Sequence, residues 1–194
     1  MTRIRILPAT LAVALAFAAA GGVALAAENG QQRGERATET AAVLAARITP
    51  ADAIRAAEAR AGGRATEFGI ENRNGALSYE VIVATATGAT KLNVDPTTGA
   101  ATPSTEQVRR AGSPTPVSTV GLAAAVAAAE QAAGGGRTTE ADPVTVNGQP
   151  AFQVHVASAA EAKRVTVSGA NGQVLQVATA TAGDEDHEDE HDND

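Results

Sequence analysis

The sequence contains no cysteine and no tryptophan among its 194 residues. Without cysteine there is no disulfide framework and no thiolate nucleophile, so packing alone must hold the fold together. Aromatic residues are also scarce, because only Phe68, Tyr79 and Phe152 lie beyond the N-terminal apolar run. The core must therefore be small, aliphatic and rich in alanine.

Histidine and basic residues are limited too. Only His155 lies in the body of the chain, which leaves almost no material for a catalytic triad, and no G-x-S-x-G motif is present. Without the N-terminal run and the last eleven residues, the chain has 13 basic and 14 acidic residues. With no basic face and no aromatic platform, nucleic acid is excluded as a partner. We predict no enzymatic activity and no cofactor.

The first 26 residues are predicted to be a signal peptide. Arg3 and Arg5 precede an apolar run, and Ala24-Leu25-Ala26 provides the small residues that a signal peptidase requires. The run is also close to the ~20 residues that span a bilayer, so an uncleaved anchor is the alternative. Cleavage would export the chain to the periplasm or the exterior, with no membrane partner afterwards.

The body of the chain repeats itself. The segment "NGALSYEVIVATATGATKLNVDPTTG" starts at Asn74, and "NGQPAFQVHVASAAEAKRVTVSGANG" starts at Asn147, 73 positions later. The same shift carries Tyr79 to Phe152 and keeps the inward-facing positions of the strands apolar, as one shared fold requires. Matched turns and strands at a single offset indicate a duplication.

Each copy is predicted to be one helix followed by antiparallel strands. Thr49 can cap a helix that starts at Pro50, and Gly62-Gly63 ends it. The apolar period then changes from about 3.6 to 2, and Asn74-Gly75 is a strong hairpin signal. The unit is therefore a helix and three strands, with a further turn at Gly99.

The second copy departs from the first in two places. Its helix cap is predicted at Ser118 or Thr119, which would make the helix about one turn longer. Pro143 falls within its first strand and cannot donate to a β-ladder. We therefore expect that strand at a sheet edge or behind a bulge.

The predicted fold class is α+β, with two small repeated modules, each a helix packed on a three- to four-stranded antiparallel sheet. Around these modules lie segments of linker composition and a tail with no apolar periodicity. The predicted parts after the signal peptide are a polar and partly helical linker at 27–46, the first repeat at 47–102, a Pro/Thr/Ser linker at 103–116, the second repeat at 117–180 and a disordered acidic tail at 181–194.

Both copies resemble the PepSY domain, a module of exported bacterial proteins. The first carries "ITPADAIRAAEARAGG", "LSYEVIV" and "KLNVDPTTG", whereas the second has "FQVHV" in place of the Tyr-Glu-Val strand and "VTVSGANG" without the terminal Asp. The resemblance implies a helix packed on an antiparallel sheet and no catalytic residues. It also implies binding or inhibition of peptidases, or another regulatory role at the cell envelope.

The C-terminal tail is the one candidate metal site. His187 to His191 formally satisfies H-E-x-x-H, but the segment has no apolar face, its like charges oppose a helix, and only three residues follow. One interpretation is that the tail increases solubility or attracts a basic partner by its charge. The other is that it binds a divalent metal weakly. The candidate ligands are Asp184, Glu185, Asp186, His187, Glu188, Asp189, Glu190, His191 and Asp192.

These observations favour an exported, non-enzymatic tandem PepSY protein that binds or regulates an envelope protein or peptide, with inhibition of an envelope peptidase as the sharper version. An exposed sheet edge or face would dock an extended peptide. Glu80 and Gln153 are predicted to face outward at matching positions, and His155 to lie on the face opposite the core. The alternatives are metal buffering by the tail and a purely structural envelope role.

Overall fold

The computed structural model of the chain describes residues 37–38, 40–73, 76–106, 108 and 117–180. All of these residues belong to one compact unit. The predicted signal peptide, the Asn74-Gly75 turn, most of the 103–116 linker and the acidic tail lie outside the described residues. Residues 40–45, within the predicted 27–46 linker, are helical.

Two helices and eight strands follow this helical segment. The elements are α1 (Pro50–Ala61), β1 (Arg64–Arg73), β2 (Ala76–Thr85), β3 (Gly88–Val94), β4 (Ala101–Pro103), α2 (Leu122–Ala132), β5 (Arg137–Val146), β6 (Gln149–Ala157), β7 (Ala162–Ser168) and β8 (Val174–Thr179).

The strands form one antiparallel sheet in the order β4-β3-β2-β1-β5-β6-β7-β8. The α+β class is therefore confirmed. The prediction of two separate three- to four-stranded sheets is wrong, because β1 and β5 pair antiparallel and join the strands into a single sheet. This seam is short and consists of two residue pairs, Phe68 with Ala141 and Gly69 with Glu140.

Helix α1 begins and ends where its sequence signals predict. The Oγ1 of Thr49 accepts a hydrogen bond of 3.1 Å from the Asp52 backbone N–H, and Pro50 occupies the first helical turn. Gly62 ends the helix in the left-handed conformation, with φ of 70°. The buried face of α1 includes Ile54 and packs onto β1, β2 and β3.

Helix α2 does not follow the prediction. It has 11 residues against 12 in α1, so it is not longer, and its N-cap is Gly121 with no side-chain hydrogen bond. The two predicted capping residues contact Gly169 instead of capping the helix. The Thr119 backbone N–H donates to the Gly169 carbonyl at 2.7 Å, and Ser118 lies against Gly169. The chain at these residues is held by the β7–β8 turn and does not continue the helix.

The two helix-to-strand junctions share one close approach at positions 73 residues apart. A Cβ atom on Gly63 would lie 2.2 Å from the Ala84 carbonyl oxygen, and one on Gly136 would lie 2.5 Å from the Ala157 carbonyl oxygen. Each glycine lets the chain pass directly against the end of a neighbouring strand. The helices themselves correspond at an offset of 72, so the second junction has one additional glycine.

Two more contacts repeat at these offsets. The Glu58 carboxylate accepts from the Ala65 backbone N–H at 2.9 Å, and the Glu130 carboxylate accepts from the Thr138 backbone N–H at 2.8 Å. Each contact ties the last turn of a helix to the start of the following strand.

The chain just before each helix is held by an equivalent backbone hydrogen bond in the two halves. The Ile48 N–H donates to the Pro96 carbonyl, and the Val120 N–H donates to the Gly169 carbonyl, both at 2.9 Å. Chain entry to the helix is thus fixed by the turn that follows the third strand of the same half.

One hydrophobic core spans both halves of the sheet on the helix side. Tyr79 is fully buried, and its hydroxyl donates to the Ile48 carbonyl at 3.0 Å. Its ring lies 5.4 Å from the ring of Phe68. The larger buried side chains of this core are Ile54, Phe68, Tyr79, Val81, Val83, Leu92, Val94, Leu122, Val126, Phe152, Val154, Val156, Val165 and Val167.

Of the two places predicted for the strand containing Pro143, the sheet edge is wrong, because β5 is central, and the bulge is confirmed. A register shift between Thr138 and Glu140 does place a bulge before the proline. Pro143 is tolerated because the ladder with β1 extends only to Ala141, so the proline needs to pair with β6 alone. The predicted Asn147-Gly148 turn is confirmed, with φ of 51° and 75°.

Candidate functional site

The face of the sheet opposite the helices carries the polar side chains of the central strands. Because side chains alternate along a strand, the buried Tyr79, Val81 and Val83 face α1, whereas Glu80 and Ile82 face the other way. We call this second surface the open face. The predicted outward position of Glu80 is confirmed.

One cross-strand row crosses the open face on all eight strands. Its centre is Glu80, Gly69, Glu140 and His155, which are neighbours on β2, β1, β5 and β6. His155 lies on the open face, as predicted, and its Nε2 is 3.4 Å from Nε2 of Gln153. The full row is Thr102, Asn93, Glu80, Gly69, Glu140, His155, Arg164 and Ala178.

Carboxylates concentrate where β1 meets β5. Glu67 and Gly69 on β1 flank the seam pair Phe68–Ala141, and Glu140 and Asp142 flank it on β5. Shifting by 73 carries Glu67 to Glu140 and Gly69 to Asp142, so positions at this offset lie on the two sides of the seam. We call Glu67, Glu80, Glu140 and Asp142 the seam carboxylates.

The surroundings of three of the seam carboxylates, Glu67, Glu80 and Asp142, disfavour their charged forms. The pKa of Asp142 is raised to about 7. Burial is the largest cause, and the negative charges of Glu140 and Glu67 also contribute. Burial also raises the pKa of Glu67. The pKa of Glu80 is raised mainly by burial, with a smaller opposing effect from Lys91.

Lys91 is the cation of the site. Its Nζ lies 2.7 Å from a Glu80 carboxylate oxygen and 2.6 Å from a Glu106 carboxylate oxygen. Burial opposes its charge, but hydrogen bonds to Glu106 and Glu80 outweigh this effect and raise the pKa of the ammonium. Lys91 is therefore already engaged by two carboxylates, and the positive charge it offers to a ligand is largely compensated.

A pocket of about 520 Å³ opens beside these groups on the open face. It exists because Gly69 has no side chain, and a Cβ atom there would meet nothing within 4 Å. Ile82 provides an apolar wall. The complete lining is Glu67, Phe68, Gly69, Ile70, Glu80, Ile82, Lys91, Val108, Thr139, Glu140 and Asp142.

Sequence reasoning identified only Glu80 among the seam carboxylates. Glu67, Glu140 and Asp142 come together through the β1–β5 seam, and no local signal in the sequence marks that pairing. The predicted metal ligands Asp184 to Asp192 lie outside the described residues. Within 37–38, 40–73, 76–106, 108 and 117–180, no three His, Asp or Glu side chains are grouped to hold a metal ion.

The raised pKa of Asp142 predicts a pH dependence of stability. The pKa of Asp142 is about 7 in the folded chain, and its ordinary value is 3.8. Between these two pH values, Asp142 keeps a proton in the folded chain that it has released in the unfolded chain. The free energy of unfolding should therefore fall as pH rises through this window. Asp142→Asn should flatten the fall and raise Tm at about pH 8, measured by thermal denaturation from about pH 5 to about pH 8.

The matched control for this experiment is Glu161→Gln, which changes an exposed carboxylate away from the seam. It should leave the pH dependence of Tm as in the wild type. The same fall of Tm in Asp142→Asn as in the wild type would contradict the role given to Asp142.

Comparison with known proteins assigns the first half of the described chain. Residues 47–102 match the family model described as "Peptidase propeptide and YPEB domain". These residues are a PepSY domain. The match covers α1, β1, β2, β3 and the start of β4, so β1 of the PepSY domain provides Glu67 and Gly69 to the pocket.

The other comparisons add little beyond this domain. One solved structure, a candidate lipoprotein from Clostridium difficile 630, is 14% identical, with a TM-score of 0.40, and the match covers 70% of this chain and 95% of that one. None of the curated proteins matches the chain. Neither α1 nor α2 of the described chain is long and apolar enough to cross a membrane.

Proposed function

We propose that this protein is an exported, non-enzymatic binding protein with two PepSY-like halves, which recognises an extended, basic segment of an envelope protein at the seam between them. The observation that carries the proposal is the pocket in the open face, lined by the four seam carboxylates and by Lys91. A sheet surface with a pocket fits recognition of an extended chain, and its acidic lining fits a lysine or arginine side chain.

The repeated contacts support a second PepSY-like half at residues 117–180. Gly136 occupies the same close approach to a strand end as Gly63, and Glu130 caps the following strand as Glu58 does. The two glycine contacts join residues 21 positions apart, and the two glutamate contacts join residues seven and eight positions apart. A shared offset of 72 or 73 positions in all of them is most simply explained by duplication of one module.

The open face also favours binding over catalysis. Among the described contacts, the imidazole of His155 lies beside Gln153, and the nearby Thr139 hydroxyl donates to the His155 backbone carbonyl and not to its ring. A nucleophile with its base in reach is the geometry that acyl transfer needs. The PepSY family assignment of residues 47–102 is consistent with a regulatory role without catalysis.

The test uses a variant that fills the pocket without disturbing the fold. Gly69→Phe should be tolerated, because a Cβ at Gly69 meets nothing within 4 Å, and its ring would occupy the pocket. The matched control is Ala84→Phe, an exposed position two residues beyond Ile82 on the same face of β2. Each protein, without residues 1–26, is immobilised and presented with proteins extracted from the native envelope.

The proposal predicts partners that bind the wild type and Ala84→Phe but not Gly69→Phe. The peptidase version predicts inhibition of an envelope metallopeptidase by the wild type, with loss of inhibition in Gly69→Phe. An identical set of captured proteins for all three chains would contradict recognition at the pocket. Absence of inhibition across a panel of envelope metallopeptidases would reject the peptidase version alone.

A second function is supported by the composition of the C-terminal tail, in which eight of the last eleven residues are acidic and two are histidine. Such a segment can bind Zn²⁺ or Cu²⁺ and so buffer metal in the envelope. Titration calorimetry with either metal should give more heat for the full chain than for one ending at Ala182. Equal titrations of the two chains would reject metal buffering.

A further inference from the structure

The two edges of the sheet differ. At one edge, β4 is three residues long and ends in Pro103, which cannot donate a main-chain hydrogen bond. At the other, β8 is six residues long and pairs with β7 alone among the described residues. Pro103 pairs with Leu92, and the equivalent Val165 pairs with Val177, so β8 continues for two residues beyond the equivalent of Pro103. The second edge is therefore longer and has no proline.

The main chain of β8 offers hydrogen bonds on its outer side. The Ala180 N–H donates to the Ala162 carbonyl at 2.9 Å, which places Ala180 in a hydrogen-bonded pair with β7. In an antiparallel ladder such pairs alternate, so Val177 and Thr179 direct their N–H and C=O groups away from β7. A register shift between Thr166 and Val167 disturbs the N-terminal end of β8 and leaves this part regular.

The side chains of β8 are unusually apolar for an edge strand. Val174, Leu175 and Val177 are 39%, 52% and 44% exposed, and the described residues contain one other exposed large hydrophobic side chain, Val117. The strand "VLQVAT" contains no charged residue. Natural edge strands are usually protected by charge, proline or short length, and β8 has none of the three.

We propose that β8 is the interface with a second copy of this chain, pairing antiparallel about a twofold axis to make a continuous sheet across both copies. The strand suits a second copy because it is uncharged, so two copies of it can lie opposite each other about a twofold axis without like charges meeting. On the helix side of the sheet, Val174 and Val177 of one copy would pack against Val174 and Val177 of the other copy. This inference goes beyond the proposed function and does not depend on it.

The charge of the following residues selects the antiparallel arrangement. The eight acidic residues of the last eleven follow β8 in sequence. Antiparallel pairing puts the C-terminal ends of the two β8 strands at opposite ends of the interface, whereas parallel pairing would bring the two acidic segments together. Like charges brought together oppose association, so the antiparallel arrangement is preferred.

A six-residue edge makes a small interface, so the dimer should be weak. Interfaces below the standard size are typical of transient association, and we expect a Kd of about 1–100 μM. The dimer would then form in a concentration-dependent manner, and its two open faces would lie in one continuous sheet.

Sedimentation velocity of the chain without residues 1–26, from about 1 to about 300 μM, tests the proposal. The wild type should pass from monomer to dimer. Val177→Lys should weaken the dimer at least ~10-fold, because it puts a charged side chain on the edge strand of each copy, which opposes edge-to-edge pairing. The matched control is Val117→Lys, which makes the same change at an exposed valine outside the sheet and should dimerise as the wild type does.

Val177→Pro gives a second readout. It removes an N–H that faces away from β7, so the fold should persist, as circular dichroism can verify, while the dimer is lost. A wild type that stays monomeric over the whole range would overturn the proposal, as would dimers that both Val177 variants leave unchanged. A monomer that still captures partners through the pocket would overturn the dimer and leave the proposed function standing.

Discussion

Replacing Gly136 with alanine should cost about 3–5 kcal/mol of unfolding free energy, a large share of the 5–15 kcal/mol typical of a folded protein. Two effects combine. A Cβ atom at Gly136 would lie 2.5 Å from the Ala157 carbonyl oxygen, and the backbone φ of 108° is one that side chains rarely adopt. Chemical denaturation followed by circular dichroism measures the loss directly.

Gly69→Ala is the matched control for this substitution. Gly69 also lies on the sheet, but its added Cβ would meet nothing within 4 Å. Its unfolding free energy should change by less than about 1 kcal/mol. Gly63→Ala should resemble Gly136→Ala, because its Cβ would meet the Ala84 carbonyl oxygen at 2.2 Å. A loss below about 1 kcal/mol in Gly136→Ala would contradict the close approach.

Phe68→Ala should also be strongly destabilising, by about 3–5 kcal/mol, because it removes a buried ring and leaves a cavity. Phe68 is 2% exposed, packs on Tyr79 and pairs with Ala141 across the seam. Since one core includes both halves, the loss should lower a single transition of the whole unit. Phe152→Ala, on the other side of the seam, should lower the same transition.

Two results would contradict this expectation. A Phe68→Ala protein in which one transition falls and a second stays unchanged would mean that the halves unfold independently. A loss below about 1 kcal/mol would mean that Phe68 is not a core residue. Thermal denaturation followed by near- and far-ultraviolet circular dichroism separates these outcomes.

Local features of this fold could be predicted from sequence because their causes are local. Thr49 and Pro50 start α1, Gly62 ends it, and Asn147-Gly148 makes a tight turn, in each case through the conformational preferences of those residues. The apolar alternation of β2 placed Glu80 on the face opposite the core. Such signals require no knowledge of which strand lies next to which.

Features that depend on the pairing of distant strands could not be predicted. The seam between β1 and β5 consists of two residue pairs and joins strands separated by most of the first half and a helix. Pro143 lies behind a predicted bulge but not at an edge, because the seam ends just before it and leaves the proline to pair with β6 alone. The pocket escaped prediction for the same reason, since Asp142 and Glu67 meet only across the seam.

The longer helix predicted for the second half failed for a tertiary reason as well. Ser118 and Thr119 are good capping residues, but the Gly169 carbonyl accepts from the Thr119 N–H and holds the chain against the β7–β8 turn. Capping propensity is a weak preference that a tertiary hydrogen bond can override. The helix starts where this constraint ends, at Leu122.

The central claim is that both halves fold as one unit around the β1–β5 seam, where the proposed binding site lies. Differential scanning calorimetry of the chain without residues 1–26 tests it most directly. For one cooperative unit the van't Hoff and calorimetric enthalpies are equal, so a single transition with a ratio of about 1 is expected. Two resolved transitions, or one with a ratio of about 0.5, would mean that the halves unfold separately and would contradict the claim.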